Sequence, residues 1–213
     1  MHPFPKLGLL ASIALLAVPA AEARTAPARH TAPATRPLGV VSASDERAAA
    51  AGAAILRQGG SATDAAIAAM LVLNVVEPQN SGLGGGTFFL RHDARTGALN
   101  TIDGRETAPA AATPKWFYGA DGKLMPGREL GSGGKSAGVP GSLATMALAH
   151  KRYGRLPWAA LFQPAIRLAD GGFAVSARMH NGLALYGGHV EGWARQAFFT
   201  PTGEAVAQGA TLR

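Results

Sequence analysis

With 213 residues, 47% of them hydrophobic, the chain has room for one domain or for part of a larger one. It contains no cysteine, which excludes disulfides, thiolate nucleophiles, zinc–thiolate sites and iron–sulfur clusters together. A net charge of +7 is spread along the sequence and no run of cations is interleaved with aromatics, so the basic balance describes a high-pI protein and not a nucleic-acid interface.

The chain opens with Lys6, an apolar run over residues 7–18 and a small-x-small pattern, Ala21-Glu22-Ala23. A run of this length is too short to span ~30 Å of hydrocarbon as a helix, so residues 1–23 read as a cleaved secretory signal and the protein as exported, periplasmic or secreted, with no stable membrane span. Residues 24–37, RTAPARHTAPATRP, hold three prolines, three arginines and no large apolar side chain. They cannot bury enough surface to offset their ordering entropy and read as a disordered basic linker. The folded region is expected over residues 38–213.

Residues 38–42 suggest a short β-like entry. Ser44 and Asp45 then offer N-cap oxygens to an alanine-rich helix that ends at Gly59-Gly60. Ser61 and Asp64 repeat the cap at S-x-x-D spacing, and a second helix runs to Val76 on an alanine background. Glu77-Pro78 ends it, because the residue before proline is pushed from the α region. The loop Asn80-Ser81-Gly82-Leu83-Gly84-Gly85-Gly86 follows, with four glycines in five positions. Residues 87–91 and 99–103 predict a hairpin whose second strand delivers Arg105 just past its end.

Residues 109–136 are rich in proline, glycine and polar side chains around one aromatic knot, Trp116-Phe117-Tyr118, and predict an ordered excursion outside any sheet. Pro140-Gly141-Ser142 opens a helix to Tyr153, and Pro157 opens another to Ala169, stopped by Gly171-Gly172. Phe173-Ala174-Val175 followed by Ser176 restarts the pattern. The last thirty residues look loop-like, with no closing element.

The glycine loop is not a dinucleotide fingerprint: the order is helix, glycines, strand, and the spacing is wrong. The stretch Gly131-Ser132-Gly133-Gly134-Lys135-Ser136 resembles the end of a phosphate loop, yet Glu129 stands where that pattern needs glycine. The six histidines show no ligand spacing, which leaves metal binding unsupported. No serine sits on a G-x-S-x-G elbow, and Gly141-Ser142 is explained as a helix start.

Arg105 is the residue to single out. Read blandly, it is a loop arginine paired with Glu106 or Asp103. Read functionally, it is a planar five-donor fork at a strand end beside a crowded glycine loop, suited to a carboxylate.

Beyond these readings, the motifs A-G-x-x-I-L-x-x-G-G-S-A-x-D-A-A-x-A, V-x-E-P-x-x-S-G-L-G-G-G-x-F and I-D-G-R-E-T-A-P resemble the front of the large subunit of γ-glutamyltranspeptidases. Residues 137–141, 153–154, 163–165 and 169–173 continue the likeness in register. The resemblance implies an α/β fold, the αββα sandwich of N-terminal-nucleophile hydrolases, with only its large-subunit front portion present. It implies a precursor that cuts itself into two subunits and moves a γ-glutamyl group from glutathione or a related amide to water, an amino acid or a peptide. The nucleophile would be a threonine opening the small subunit, with no cofactor and no metal.

In that family the arginine of the R-E-x-A-P motif binds the α-carboxylate of the γ-glutamyl moiety, which here is Arg105. Members often carry an aromatic residue just before it, where this chain has Gly104. No catalytic residue is expected in the chain itself, because it stops before the self-cleavage site; its partners would be γ-glutamyl compounds and the missing small subunit. Two alternatives remain at this point: a same-scaffold acylase acting on β-lactam side chains, and a truncated non-catalytic binding protein.

Overall fold

In a computed structural model, residues 39–213 are described apart from Ser132, Gly188 and His189, with backbone alone at Arg128, Glu129 and Tyr186. The expected signal, the linker and Leu38 lie outside the described residues.

Helix α1 (Glu46–Arg57) starts where Asp45 accepts the Arg47 amide. Ser44, the other candidate cap, instead donates its hydroxyl to Glu77 Oε2 at 3.0 Å. The helix stops in a Schellman turn: Gly59, at φ +86°, donates to the Leu56 carbonyl, and Gly60 donates to that of Ile55. Helix α2 (Ala62–Val76) carries the full capping box between Ser61 and Asp64. Buried residues on several of its faces make α2 the central helix, packed between α1, α5 (Ser142–Tyr153) and α6 (Trp158–Gly171). Alanines and Gly52 permit the close approach, since a Cβ at Gly52 would sit 2.9 Å from the Ala65 carbonyl oxygen. Ile55, Leu71, Val72 and Leu161 fill the core between them.

Asp64 does more than cap. Its Oδ2 accepts the amides of Ser61, Arg155 and Leu156 at 2.8, 2.9 and 3.2 Å, so one fully buried carboxylate ties the start of α2 to the α5–α6 connection.

After Glu77 the chain makes one further turn, α3 (Pro78–Ser81), before the glycine loop. Strands β1 (Thr87–His92) and β2 (Leu99–Gly104) form the expected antiparallel hairpin, with Thr87 opposite Gly104. The hairpin leans on α5, where Phe89 stacks with Tyr153 at 6.3 Å and Arg91 lies over the same ring. Its other face leaves Phe88, Leu90 and Leu99 exposed.

The entry at residues 39–43 forms no strand, because no described residue pairs with it. Among the described residues the excursion holds a short α4 (Gly127–Leu130), a 3-10 turn (Gly134–Ser136) and an isolated antiparallel bridge between Tyr118 and Leu124, and the Trp116 indole closes it by donating to the Lys135 carbonyl.

The C-terminal expectation needs correcting. Ser176 caps α7 (Ala177–Tyr186) where the pattern is expected to restart, but α8 (Gly192–Phe198) and β4 (Thr211–Leu212), which pairs antiparallel with β3 (Phe173–Ala174), lie in the stretch expected to be loop-like. A second core of Val175, Met179, Leu183 and Phe199 pulls these pieces together. Two-residue strands are too short to show an alternating pattern, so this closing element was invisible in the sequence.

Candidate functional site

Arg105 leaves the end of β2 with its backbone amide donating to Asp103 Oδ1 at 3.0 Å. Its side chain is 58% exposed and Nη1 lies 2.9 Å from Glu106 Oε2. The partner that composition alone favours is therefore present. The contact is off-line for a hydrogen bond, and it engages one edge of a fork with five donors.

Glu106 is itself held. Its Oε1 accepts the Gly86 amide, and its carboxyl sits below the usual carboxylate range. Its own backbone N–H lowers it most, partial burial opposes this, and the Gly86 amide and the Arg105 charge lower it further. The glycine loop thus steers Arg105 through Glu106.

The loop glycines serve proximity and not handedness, since none takes a left-handed φ. A Cβ at Gly86 would meet Glu106 N, Glu106 Oε2 and the Gly104 carbonyl oxygen, each at 2.7 Å. One at Gly84 would meet nothing, so the close backbone crossing is at Gly86. On its other side the loop meets α5: the Gly85 carbonyl accepts the amides of Gly141 and Ser142, both at 3.1 Å.

Gly104 has a packing reason. A Cβ there would overlap Thr145 on α5, and one at Gly141 would overlap the Gly104 carbonyl. The strand end that aims Arg105 rests directly on the first turn of α5, leaving no room for an aromatic side chain.

These pieces enclose a cleft of about 500 Å³ lined by α3, the glycine loop, Arg105, Glu106 and Ser142. Glu77, almost fully buried at the start of α3, accepts from Ser44 and from Arg178 of α7. A larger groove of about 700 Å³ runs along α1 and α2. Its walls, including Val41, Leu56, Ala66 and Leu73, are mainly hydrocarbon and it lacks Arg105, so the smaller cleft is the better candidate for polar recognition.

Sequence reasoning missed Gln79 and Ser142. Both border the cleft with polar atoms that are buried and have no hydrogen-bond partner. Ser142 was explained by its helix start, which is correct and incomplete; its place directly after V-P-G was the available signal. Among the described residues no three His, Asp or Glu side chains gather to hold a metal ion, and no helix is long and apolar enough to cross a membrane.

A family model for γ-glutamyltranspeptidase matches residues 48–213. Over 174 residues the chain is 37% identical to a glutathione hydrolase proenzyme of Bacillus subtilis (strain 168), covering 82% of this chain and 30% of that protein. It is 51% identical over 142 residues to scoloptoxin SSD14 of Scolopendra dehaani, covering 67% of this chain and 24% of that one. The fold matches the crystal structure of Helicobacter pylori γ-glutamyltranspeptidase with a TM-score of 0.76 at 33% identity, over 82% of this chain and 50% of the other. A cephalosporin acylase from Bacillus halodurans matches with a TM-score of 0.66 at 32% identity, over 78% and 31%.

The fold is the α/β architecture of the N-terminal-nucleophile hydrolases. Within that class, the chain belongs to the γ-glutamyltranspeptidase family. It spans about a quarter to a third of the length of the curated relatives named here.

Proposed function

We propose that this chain supplies the carboxylate-binding wall of an enzyme that transfers a γ-glutamyl group from glutathione or a related amide to water or to an amino acid. The observation carrying this is Arg105, a half-free guanidinium at the rim of a cleft, aimed by Glu106 and Gly86. A charge-assisted, bidentate contact to an α-carboxylate contributes about 1.5–3 kcal/mol and fixes which end of glutamate reaches the reacting atoms. In this reading the nucleophile is a threonine that opens the small subunit.

Cutting of a precursor into two subunits accords with the word proenzyme in the name of the Bacillus relative. Export rests on Lys6, the apolar run over residues 7–18 and the small residues that follow.

The likeness to a cephalosporin acylase supports a second reading, in which the donor is an acyl chain. A guanidinium at the cleft rim favours a donor bearing an α-carboxylate. The test is to assay the enzyme carrying this chain with a γ-glutamyl anilide and with its 4-aminobutyryl counterpart, which lacks only that carboxylate. The γ-glutamyl reading expects turnover of the first with the second reduced at least tenfold in kcat/KM, about 1.4 kcal/mol. Equal values select the acylase.

A further inference from the structure

The Arg105 fork has already spent part of its charge on Glu106, so a carboxylate arriving at the cleft faces an ion pair and not a bare cation. A second source of positive potential is therefore needed. Ser142 supplies the position for one. It is the first residue of the twelve-residue helix α5, 1% exposed, and borders the same cleft as Arg105, and its buried hydroxyl has no hydrogen-bond partner. Leaving a buried hydroxyl unpaired costs free energy, and an acceptor in the cleft removes that cost.

The distance between the two groups is set by the loop. The Gly85 carbonyl holds the Ser142 amide, and the next residue, Gly86, donates to Glu106 beside Arg105. Gly141 in turn abuts the Gly104 carbonyl, one residue before Arg105. The start of α5 and the arginine are thus fastened to adjacent loop residues, the first to Gly85 and the second, through Glu106, to Gly86. The helix carries its positive end there, which favours an anion.

We propose that Ser142 is a substrate-binding residue whose hydroxyl donates to the same carboxylate that Arg105 holds, at the positive end of α5. This rests on the γ-glutamyl reading of the cleft. A hydroxyl on one oxygen and the free guanidinium edge on the other would fix the rotation of the carboxylate as well as its position. Gln79, whose side-chain amide is also unpartnered at this cleft, is left for the remaining polar groups of the ligand.

The enzyme carrying this chain is titrated with L-glutamate and with 4-aminobutyrate while backbone amide and arginine Nε–H resonances are followed. The expected result is that the Ser142 and Leu143 amides shift with the same Kd as the Arg105 Nε–H for L-glutamate and stay still for 4-aminobutyrate. Ser142→Ala weakens L-glutamate about tenfold; Ser142→Thr, which keeps the hydroxyl, restores most of it.

If Arg105→Lys weakens binding while Ser142→Ala does not, and the α5 amides stay still, the inference is overturned and the γ-glutamyl reading stands. If Ser142→Ala weakens binding and Arg105→Lys does not, the reading of Arg105 falls and the α5 corner stands. No binding by the parent enzyme overturns both. The resonance shifts of the parent decide the matter even where Ser142→Ala fails to fold.

Discussion

Arg105 Nη1 lies 2.9 Å from Glu106 Oε2, and the same carboxylate accepts the Gly86 amide through its other oxygen. A single acidic side chain thereby couples the glycine loop to the guanidinium. The arginine contacts this neighbour through Nη1, stays 58% exposed and lines the cleft. The local ion pair that composition alone favours is thus present, and in the proposed reading the same contact would orient the fork.

The packing under that fork gives the first prediction. Gly104→Ala introduces a Cβ that overlaps the Thr145 hydroxyl, and should cost about 1–3 kcal/mol of stability in a thermal or denaturant melt. Thr145→Ala on the same chain should recover most of that loss. The same second change should not rescue Gly141→Ala, whose clash is with the Gly104 backbone. Additive losses in the Gly104/Thr145 cycle would contradict the contact.

Asp64 is the second. Three backbone amides converge on one oxygen of a fully buried carboxylate, so Asp64→Ala should destabilise by about 3 kcal/mol or more. Asp64→Asn should cost less, because an amide oxygen can keep part of the set. Denaturation midpoints within about 0.5 kcal/mol of the parent would remove Asp64 from this role.

Acid stability is the third. Asp45 is held below the usual carboxylate range, chiefly by the Arg47 side chain against the opposing effect of burial, and Glu106 is lowered as described. Groups whose folded values are depressed bind fewer protons in the folded state than in the unfolded one. Their contribution is therefore complete above the ordinary values of 3.8 and 4.5 and is lost as pH falls through the lower folded values. The melting temperature should fall as pH drops below about 4.5, and Asp45→Asn should flatten that fall. A melting temperature that rises with acid over that range would contradict the assignment.

Much of this architecture is legible in the sequence because its signals are local. The S-x-x-D box, Gly59-Gly60, Glu77-Pro78 and the hairpin lie where cap, stop and strand chemistry put them. What was not legible is what depends on distant partners. The β3–β4 pair joins residues far apart in the chain through two-residue strands, and Ser44 deserts the helix cap for the carboxylate of Glu77, just past the end of the next helix. Arg105 could be named as the candidate ligand from its motif; that its neighbour Glu106 bridges it to Gly86, and that Gly104 is held bare by Thr145, required the folded contacts.

The central claim is that the Arg105 fork holds the α-carboxylate of a γ-glutamyl donor, and its most direct test is the KM of the enzyme carrying this chain for a γ-glutamyl anilide, before and after Arg105→Lys. Lysine keeps the charge and loses the fork, so the account predicts a KM raised roughly ten- to a hundred-fold with the melting temperature unchanged. An unchanged KM would contradict it.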